Sequence, residues 1–264
     1  MSLHRALIAE LGKLTSLPAV WAGFAVTVVG TAGITVLNAV QTVAAAKAGH
    51  PERYGSTSVF ETAYAAAPLG TVGAIVIGVV AVSSEYTANT ADAGGGRQIG
   101  TTLTAIPGRL GLITAKAAAA AMFMVAAAAV ALPLCFGIAR VVLGDAAVET
   151  LTLGQALDRG VGASVYWLLM GLLAFGITLL TRGGTIPLLV LILNSSVVSV
   201  SLLLSKLTSL ALWLPDMAGR NLFGFTGDSV LPGGLDPVPG GTVMAGWAVA
   251  LIVCGSIAFT RRDA

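Results

Sequence analysis

The sequence predicts an all-α integral membrane protein with six transmembrane helices, because its composition, its long uncharged intervals and the lack of strand-like alternation all favour that class. Of the 264 residues, 56% are hydrophobic and only 10% are charged, whereas soluble domains carry roughly 25% charged residues. So few polar side chains would leave most of the surface of a soluble fold uncovered. The composition therefore excludes an ordinary soluble enzyme and a disordered chain.

Six intervals between ionisable residues are longer than twenty residues, and each can cross a bilayer core of about 30 Å as a helix that rises ~1.5 Å per residue. They lie between Lys13 and Lys47, Glu61 and Glu85, Lys116 and Arg140, Arg159 and Arg182, Arg182 and Lys206, and Asp236 and Arg261. Within a single transmembrane domain, 1–264, we predict helices at 18–46, 63–84, 113–140, 161–181, 185–205 and 241–260. The intervals are apolar on all sides, which favours helices over the alternating strands of a membrane barrel.

The basic residues predict the orientation of the chain. Eight of the 14 Lys and Arg lie in the terminal segments and the connections that six crossings would place on the same side as the N-terminus. The positive-inside rule then places both termini in the cytoplasm. The first apolar run is too long for a signal peptide and lacks a cleavage-site pattern, so we expect it to remain in the mature protein.

The segment before the first predicted span has the pattern of an amphipathic helix. Leu3, Leu7, Leu11 and Leu14 recur at helical spacing with charged residues between them,. This predicts a helix that lies in the cytoplasmic membrane interface. The alternative is a frayed terminus without that role.

The connection at 85–116 contains a second short helix. After three glycines, Gly94–Gly96, the residues Ile99, Leu103 and Ile106 recur with helical spacing until Pro107 ends the pattern,. A helix this short is not stable alone. Its apolar stripe needs either the membrane surface or a groove on another protein, and the pattern does not decide between them.

Two further stretches are candidates for function. The extracellular connection at 206–236 predicts a helical hairpin that either re-enters the outer leaflet or packs over the helix ends. The fifth predicted helix carries Asn194, Ser195, Ser201 and Ser205. These side chains either hydrogen-bond to neighbouring helices or line a polar substrate or water path.

Motifs for chemistry are missing from the sequence. The Gly12-Lys13 pair is followed by leucine, so no phosphate-binding loop for ATP is present, and no catalytic motif occurs,. Two histidines and two cysteines, spread along the chain, predict no metal site,. A net charge of +2 gives no reason to expect nucleic acid as a partner,. We therefore expect no catalytic residues, no metal and no cofactor in this chain.

Three stretches together resemble the permease subunits of bacterial type 2 ABC (ATP-binding cassette, ABC-2) exporters. They are Ser83-Ser84-Glu85-Tyr86, the run Thr101-Thr102-Leu103-Thr104-Ala105-Ile106-Pro107-Gly108-Arg109, and Ala115-Lys116. Glu10 to Leu14 and Phe259 to Ala264 are similar to the ends of the same family. The glycine-rich stretch from Ala93 to Gly96 departs from the family pattern, which usually continues with a Gly-Thr helix start.

The resemblance implies a type V ABC exporter-like permease in the bacterial plasma membrane. Such a subunit pairs with a second permease, identical or homologous, and with two copies of a separate ATP-binding subunit that holds ATP and Mg. Within this chain, the resemblance implies that the short helix is a coupling helix that docks the ATP-binding subunit through Arg97, Ile99, Thr101, Thr102, Leu103, Ile106, Pro107 and Arg109. Glu85, Arg109 and Lys116 would link it to the neighbouring helices by ion pairs. The expected cargo is apolar or amphipathic, such as an antibiotic, a peptide or a lipid.

A second hypothesis comes from another class of protein. The same cytoplasmic connection is compatible with a membrane anchor or sensor that holds a cytoplasmic partner without moving a substrate. Transport that requires hydrolysable ATP distinguishes the two.

Overall fold

The computed structural model describes residues 2–48, 58–88, 97–106, 108–147, 152–196, 199–224 and 233–261. These residues form helices and one isolated bridge between Ala88 and Arg97, and no strand. The first four helices or helical spans are α1 (Leu3–Ser16), α2 (Pro18–Lys47), α3 (Val59–Tyr86) and α4 (Gln98–Ala105). The others are α5 (Arg109–Leu143), α6 (Leu153–Thr181), α7 (Thr185–Ser196), α8 (Val200–Ser205), α9 (Pro215–Ala218) and α10 (Pro237–Arg261).

Five of these elements are long and apolar enough to cross a membrane, namely α2, α3, α5, α6 and α10. Two of them are locally irregular. In α2 the stretch Val26–Gly30 is a π-helical turn, and in α3 a turn at Ala65 and Ala66 separates Val59–Tyr64 from Ala67–Ser83. The result confirms a helical protein with several membrane-compatible spans.

The described residues form two helices where the sequence predicts one continuous helix at 185–205. The chain forms α7 and then α8, and the residues between them include Ser199, whose hydroxyl accepts the backbone N–H of Leu202 and starts α8 as an N-cap. The side chain of Asn194 also accepts the backbone N–H of Ser201. Serine and asparagine compete in this way with helical hydrogen bonds, which explains why an uncharged interval does not become one helix.

The helices α3 and α6 form the centre of the bundle. In the most apolar 18-residue stretch of α3 and of α6, 67% and 61% of the residues are buried, whereas the corresponding share in α2, α5 and α10 is 22% to 33%. The two backbones approach closely because Gly78 on α3 faces Gly171 on α6, where a methyl group on Gly78 would lie 2.1 Å from the Gly171 carbonyl oxygen. The indole N–H of Trp167 donates to the Ala67 carbonyl at 2.8 Å, which adds a hydrogen bond between the same two helices.

The other spans surround this pair. The helix α10 packs on α6, α5 packs on α2 and α6, and α1 lies against the first turns of α5. We call the end of the bundle that carries α1 and α4 the α1 end. The opposite end carries α9 and the starts of α6 and α10.

Candidate functional site

A cluster of four charged side chains lies at the α1 end, and we call it the charge cluster. It consists of Glu10 and Lys13 from α1, Glu85 from the end of α3 and Lys116 from α5. The Lys116 Nζ lies 2.6 Å from Glu10 Oε2 and 2.6 Å from Glu85 Oε1. Lys13 Nζ donates to the same Glu85 Oε1. Two acids and two bases thus meet in one network with no net charge.

Three members of the charge cluster are buried, and the side chain of Lys13 is partly buried. Glu10, Glu85 and Lys116 are 3%, 2% and 4% exposed. Burial, together with repulsion by Lys116, lowers the pKa of Lys13 below the ordinary lysine value, and the attraction of Glu85 and Glu10 only partly opposes this,. Buried ions are tolerated when each is paired and hydrogen-bonded. The charges are therefore all paired only when α1, α3 and α5 keep this one packing arrangement.

The short helix α4 joins this network through one hydroxyl. Thr102 Oγ1 donates to Glu85 Oε2 at 2.9 Å. Both oxygens of the Glu85 carboxylate are thus occupied, one by the two lysines and one by α4. The carboxylate therefore connects α4 to the end of α3, and through Lys116 to α5.

The apolar stripe of α4 faces the interior of this chain. Ile99 and Ile106 are 2% and 7% exposed and belong to the main core, and Leu103 is half-buried against it. The prediction that the ATP-binding subunit binds this apolar stripe needs correction, because other helices of this chain already cover the stripe. Docking through α4 stays a prediction, but it cannot depend on Ile99 and Ile106 being accessible.

The opposite face of α4 is exposed and carries small or hydroxyl-bearing residues, Gly100, Thr101, Thr104 and Ala105. Arg97, which precedes the helix, is exposed as well. Pro107 lies outside the described residues. The surface of α4 that is available to a partner is therefore smooth and mainly uncharged.

Arg109 contacts the end of α10, and its predicted part in docking and in ion pairs stays a prediction. Its guanidinium donates to the carbonyl oxygens of Phe259 and Thr260, each at 3.1 Å, and lies 6.0 Å from the centroid of the Phe259 ring. Arg109 thus links the start of α5 to the last turn of α10. A cation near the end of a helix also interacts favourably with its partial negative charge.

The space beside the charge cluster is too small for a ligand. A cavity of about 10 Å³, lined by Glu85, Lys116 and apolar neighbours, has room for about one water molecule,. Among the described residues there is also no group of three His, Cys, Asp or Glu side chains placed to bind a metal ion. Among the described residues, the arrangement can fix helices relative to one another, and the cavity beside it has room for water alone.

The polar residues predicted to line a path are only partly brought together. Asn194 contacts Ser201 across the break between α7 and α8, and its Nδ2 donates to Asp216 Oδ2 of α9 at 2.8 Å. The hydroxyl of Ser205 returns to the Leu202 carbonyl of its own helix. Ser195 Oγ is buried with no hydrogen-bond partner among the described residues. Asn194 and Ser201 therefore connect α7, α8 and α9, and Ser205 does not join them.

Sequence reasoning did not identify Glu10 and Lys13 as part of the site, nor Asp216 as the partner of Asn194. A signal for Glu10 exists in the sequence. Ala6, Glu10 and Leu14 lie four residues apart, so they share one face of α1, and all three are buried,. Glu10 therefore marks the buried face of α1, while Leu3, predicted on the apolar stripe, is exposed.

No protein-family model matches this chain, and the curated proteins contain no significant match to it. The function must therefore be argued from the residues and from the geometry of the site.

Proposed function

We propose that this chain is the permease subunit of an ATP-driven exporter of the type 2 ABC class in the bacterial plasma membrane. In this proposal it moves an apolar or amphipathic substrate, it pairs with a second permease subunit, and two separate subunits bind ATP and Mg. Both termini lie in the cytoplasm, so the α1 end is the cytoplasmic end.

The observation that carries the proposal is the position of α4. It is a helix of eight residues between two membrane-compatible spans, with one face buried in the core and the other exposed. Thr102 connects it to Glu85, and Glu85 pairs with Lys116 and Lys13. A force applied to the exposed face would therefore act directly on the end of α3 and on the start of α5.

This connection supports a coupling role, because a packed network moves as a unit between discrete arrangements more readily than it deforms. α3 is the central span and also packs against α7. A displacement of α4 would thus be passed to the middle of the bundle. A membrane anchor needs no such path from its partner-binding surface to its buried spans.

The sixth crossing is part of the proposal. It would be formed by α7 and α8 together, since α7 has 12 residues and would extend only about 18 Å,. Non-helical backbone at membrane depth is tolerated where protein covers it. The bonds of Asn194 to Ser201 and to Asp216 provide such cover at this break.

The docking surface is tested with a matched pair of threonines. The Thr104 and Thr114 hydroxyls both donate to the carbonyls three and four residues earlier, and both residues are exposed. We expect Thr104→Arg to abolish co-purification of a co-expressed ATP-binding subunit, because a long cation would not fit a closely packed interface. Thr114→Arg should leave co-purification unchanged, because Thr114 lies on α5 and the arginine cation can extend to the membrane–water interface. Equal yields of the subunit with both variants would contradict docking at α4.

The orientation is tested by thiol labelling in intact cells. Cysteine at Thr104 should be protected from a membrane-impermeant reagent, and cysteine at Ser209, which is exposed beyond α8, should react. Cys135 is buried and Cys254 is exposed on the apolar α10, so both are replaced by serine or alanine first. Labelling of Thr104→Cys from outside would overturn the proposed topology.

Transport separates the two function classes. Inverted vesicles that contain the permease and the ATP-binding subunit should accumulate an amphipathic dye only with hydrolysable ATP. Stable binding of the partner without any ATP-dependent accumulation is the result expected for an anchor or sensor.

A further inference from the structure

A second feature of the α1 end is a groove between the end of α3 and the turn from α6 into α7. Helix α6 ends at Thr181, and Arg182 adopts a left-handed conformation with φ of 55°. Gly183 and Gly184 complete a short turn into α7, and Gly184 lies close to Ser83 and Val79 of α3. Beyond this turn is a groove of about 590 Å³, which is within the usual range for small-molecule sites of about 300–1,000 Å³.

The polar residues that line the groove, Ser83, Tyr86, Thr87, Arg182 and Thr185, lie at the end of α3 and in the turn from α6 into α7. Leu188 and Leu189 follow one turn later on α7, so the groove has a polar end at the turn and an apolar end further along α7. The guanidinium of Arg182 lies 5.9 Å from the centroid of the Tyr86 ring, which holds it beside the groove,. With five N–H donors, a guanidinium can bind an oxyanion while it keeps other contacts.

The charge that the described lining residues bring to the groove is positive. Arg182 is the one charged side chain among the described residues that line it. Glu85 is adjacent in sequence to Tyr86, but its carboxylate is 2% exposed and is occupied by Lys13, Lys116 and Thr102. The charge cluster therefore neutralises Glu85, and Arg182 is the charge that the described lining residues contribute to the groove.

The apolar end of the groove continues along α7. Ile186, Leu189, Val190 and Leu193 have the spacing of one helix face, and each is about half exposed or more,. A molecule whose head contacts Arg182 can therefore place its hydrocarbon tail along this face.

We propose that the groove binds an anionic phospholipid of the adjacent leaflet, with its phosphate against Arg182 and an acyl chain along Leu188 and Leu189. Charge and polarity both match this occupant, because the basic group lies at the end of a membrane-compatible span, where anionic head groups attract Lys and Arg. The inference goes beyond the exporter proposal and does not depend on it. A membrane anchor with the same groove would bind the same lipid.

The test measures lipid preference on the purified full-length protein. Native mass spectrometry would compare retention of phosphatidylglycerol and phosphatidylcholine with identical acyl chains. The wild type should retain phosphatidylglycerol preferentially, and Arg182→Asn should reduce that preference by about fivefold, the effect expected for one basic residue near anionic lipid. Asparagine tolerates the left-handed conformation at this position. Arg182→Lys, which keeps the charge, should retain most of the preference.

Thr87→Glu gives an independent variant, since it adds a carboxylate at an exposed position in the groove. It should also remove the preference. The matched control is Arg140→Asn, which removes an exposed cation at the other end of α5. An equal loss in Arg140→Asn, or an unchanged preference in both groove variants, would overturn the proposal. Displacement of the bound lipid by inorganic phosphate would also overturn it, because the site would then recognise a free anion without using the acyl chain.

Discussion

The two ends of the bundle are held together by different physical means. At the α1 end, three buried charges and the partly buried Lys13 connect α1, α3 and α5, and a hydroxyl of α4 joins them. At the opposite end, neutral donors bind backbone carbonyls, as Tyr64 does to Ala156 and Trp247 to Trp213. Helix backbones also come into direct contact at glycines of that end, such as Gly240, which faces the Ala218 carbonyl. The ion pair seen there, Arg159 with Glu61, is longer at 3.9 Å and partly exposed.

The difference shows how each end responds to change. Buried ion pairs contribute little net stability compared with apolar residues of the same size, but the loss of one partner leaves an uncompensated charge. The α1 end therefore depends on its partners being complete. The opposite end depends on small residues at close contacts, so it is sensitive to added volume and tolerant of lost charge.

The largest effect should come from removing one member of the charge cluster. Lys116→Met leaves Glu10 and Glu85 close together and buried with one lysine, so the free energy of unfolding should fall by about 3–5 kcal/mol. Thermal unfolding in detergent measures the change. Arg159→Gln at the opposite end should cost only about 0.2–1 kcal/mol, as expected for a partly exposed pair. Equal losses in the two variants would remove the distinction between the ends.

A double variant sharpens the same prediction. Lys116→Met combined with Glu10→Gln leaves Glu85 paired with Lys13 and restores neutrality. The double variant should therefore be more stable than Lys116→Met alone, with a coupling energy of about 0.5–3 kcal/mol. Additive losses would show that Glu10 and Lys116 do not act together.

Added volume should affect the opposite end more than lost charge does. A methyl group on Gly240 would lie 2.0 Å from the Ala218 carbonyl oxygen, so Gly240→Ala should force α10 and α9 apart and cost about 1–3 kcal/mol,. Gly246 on the same helix has nothing within 4 Å of that position. Gly246→Ala should therefore be neutral or stabilise by about 0.5–1 kcal/mol. A loss in thermal stability that is the same for both would contradict the close contact as the cause.

The polar contacts of α7 should have a smaller effect. Asn194→Ala removes the bond to Asp216 and the bond to the Ser201 backbone N–H, so it should cost about 1–2 kcal/mol,. Ser205→Ala removes a hydroxyl that bonds only within its own helix among the described contacts, so it should change the melting temperature little. A larger loss for Ser205→Ala would instead favour a role for this residue outside the described contacts.

The sequence was sufficient for the apolar spans, because a charge is costly in hydrocarbon whatever the fold and its absence marks a span directly. It was not sufficient for the break after α7. The interval from Arg182 to Lys206 is as uncharged as the others, and among the described residues the side chains of Asn194 and Ser199 bond to backbone N–H groups of α8 at the break. An uncharged interval indicates that a segment can lie in lipid, but it does not indicate that the segment forms one continuous helix.

The candidate site was predictable only in part for a similar reason. The spacing of Ile99, Leu103 and Ile106 shows that one face of α4 must be covered, but the spacing is the same whether this chain or a partner covers it. The ion pair of Lys116 with Glu10 joins residues 106 positions apart. The fold decides such pairings, and a single sequence contains no local signal for them.

The smallest expected effect is a dependence on pH that is specific to the α1 end. Because burial lowers the pKa of Lys13, the unfolded chain binds more protons than the folded protein between that lowered value and the ordinary lysine pKa of about 10.4,. The free energy of unfolding contributed by this group therefore rises with pH across that interval. The melting temperature of the wild type, relative to Lys13→Met, should increase on going from neutral pH towards pH 10. The control is Arg5→Gln, which removes an exposed charge from the same helix and should show a constant difference from the wild type. If the difference between the wild type and Lys13→Met also stays constant, the ammonium group of Lys13 is not held in the buried environment that the charge cluster requires.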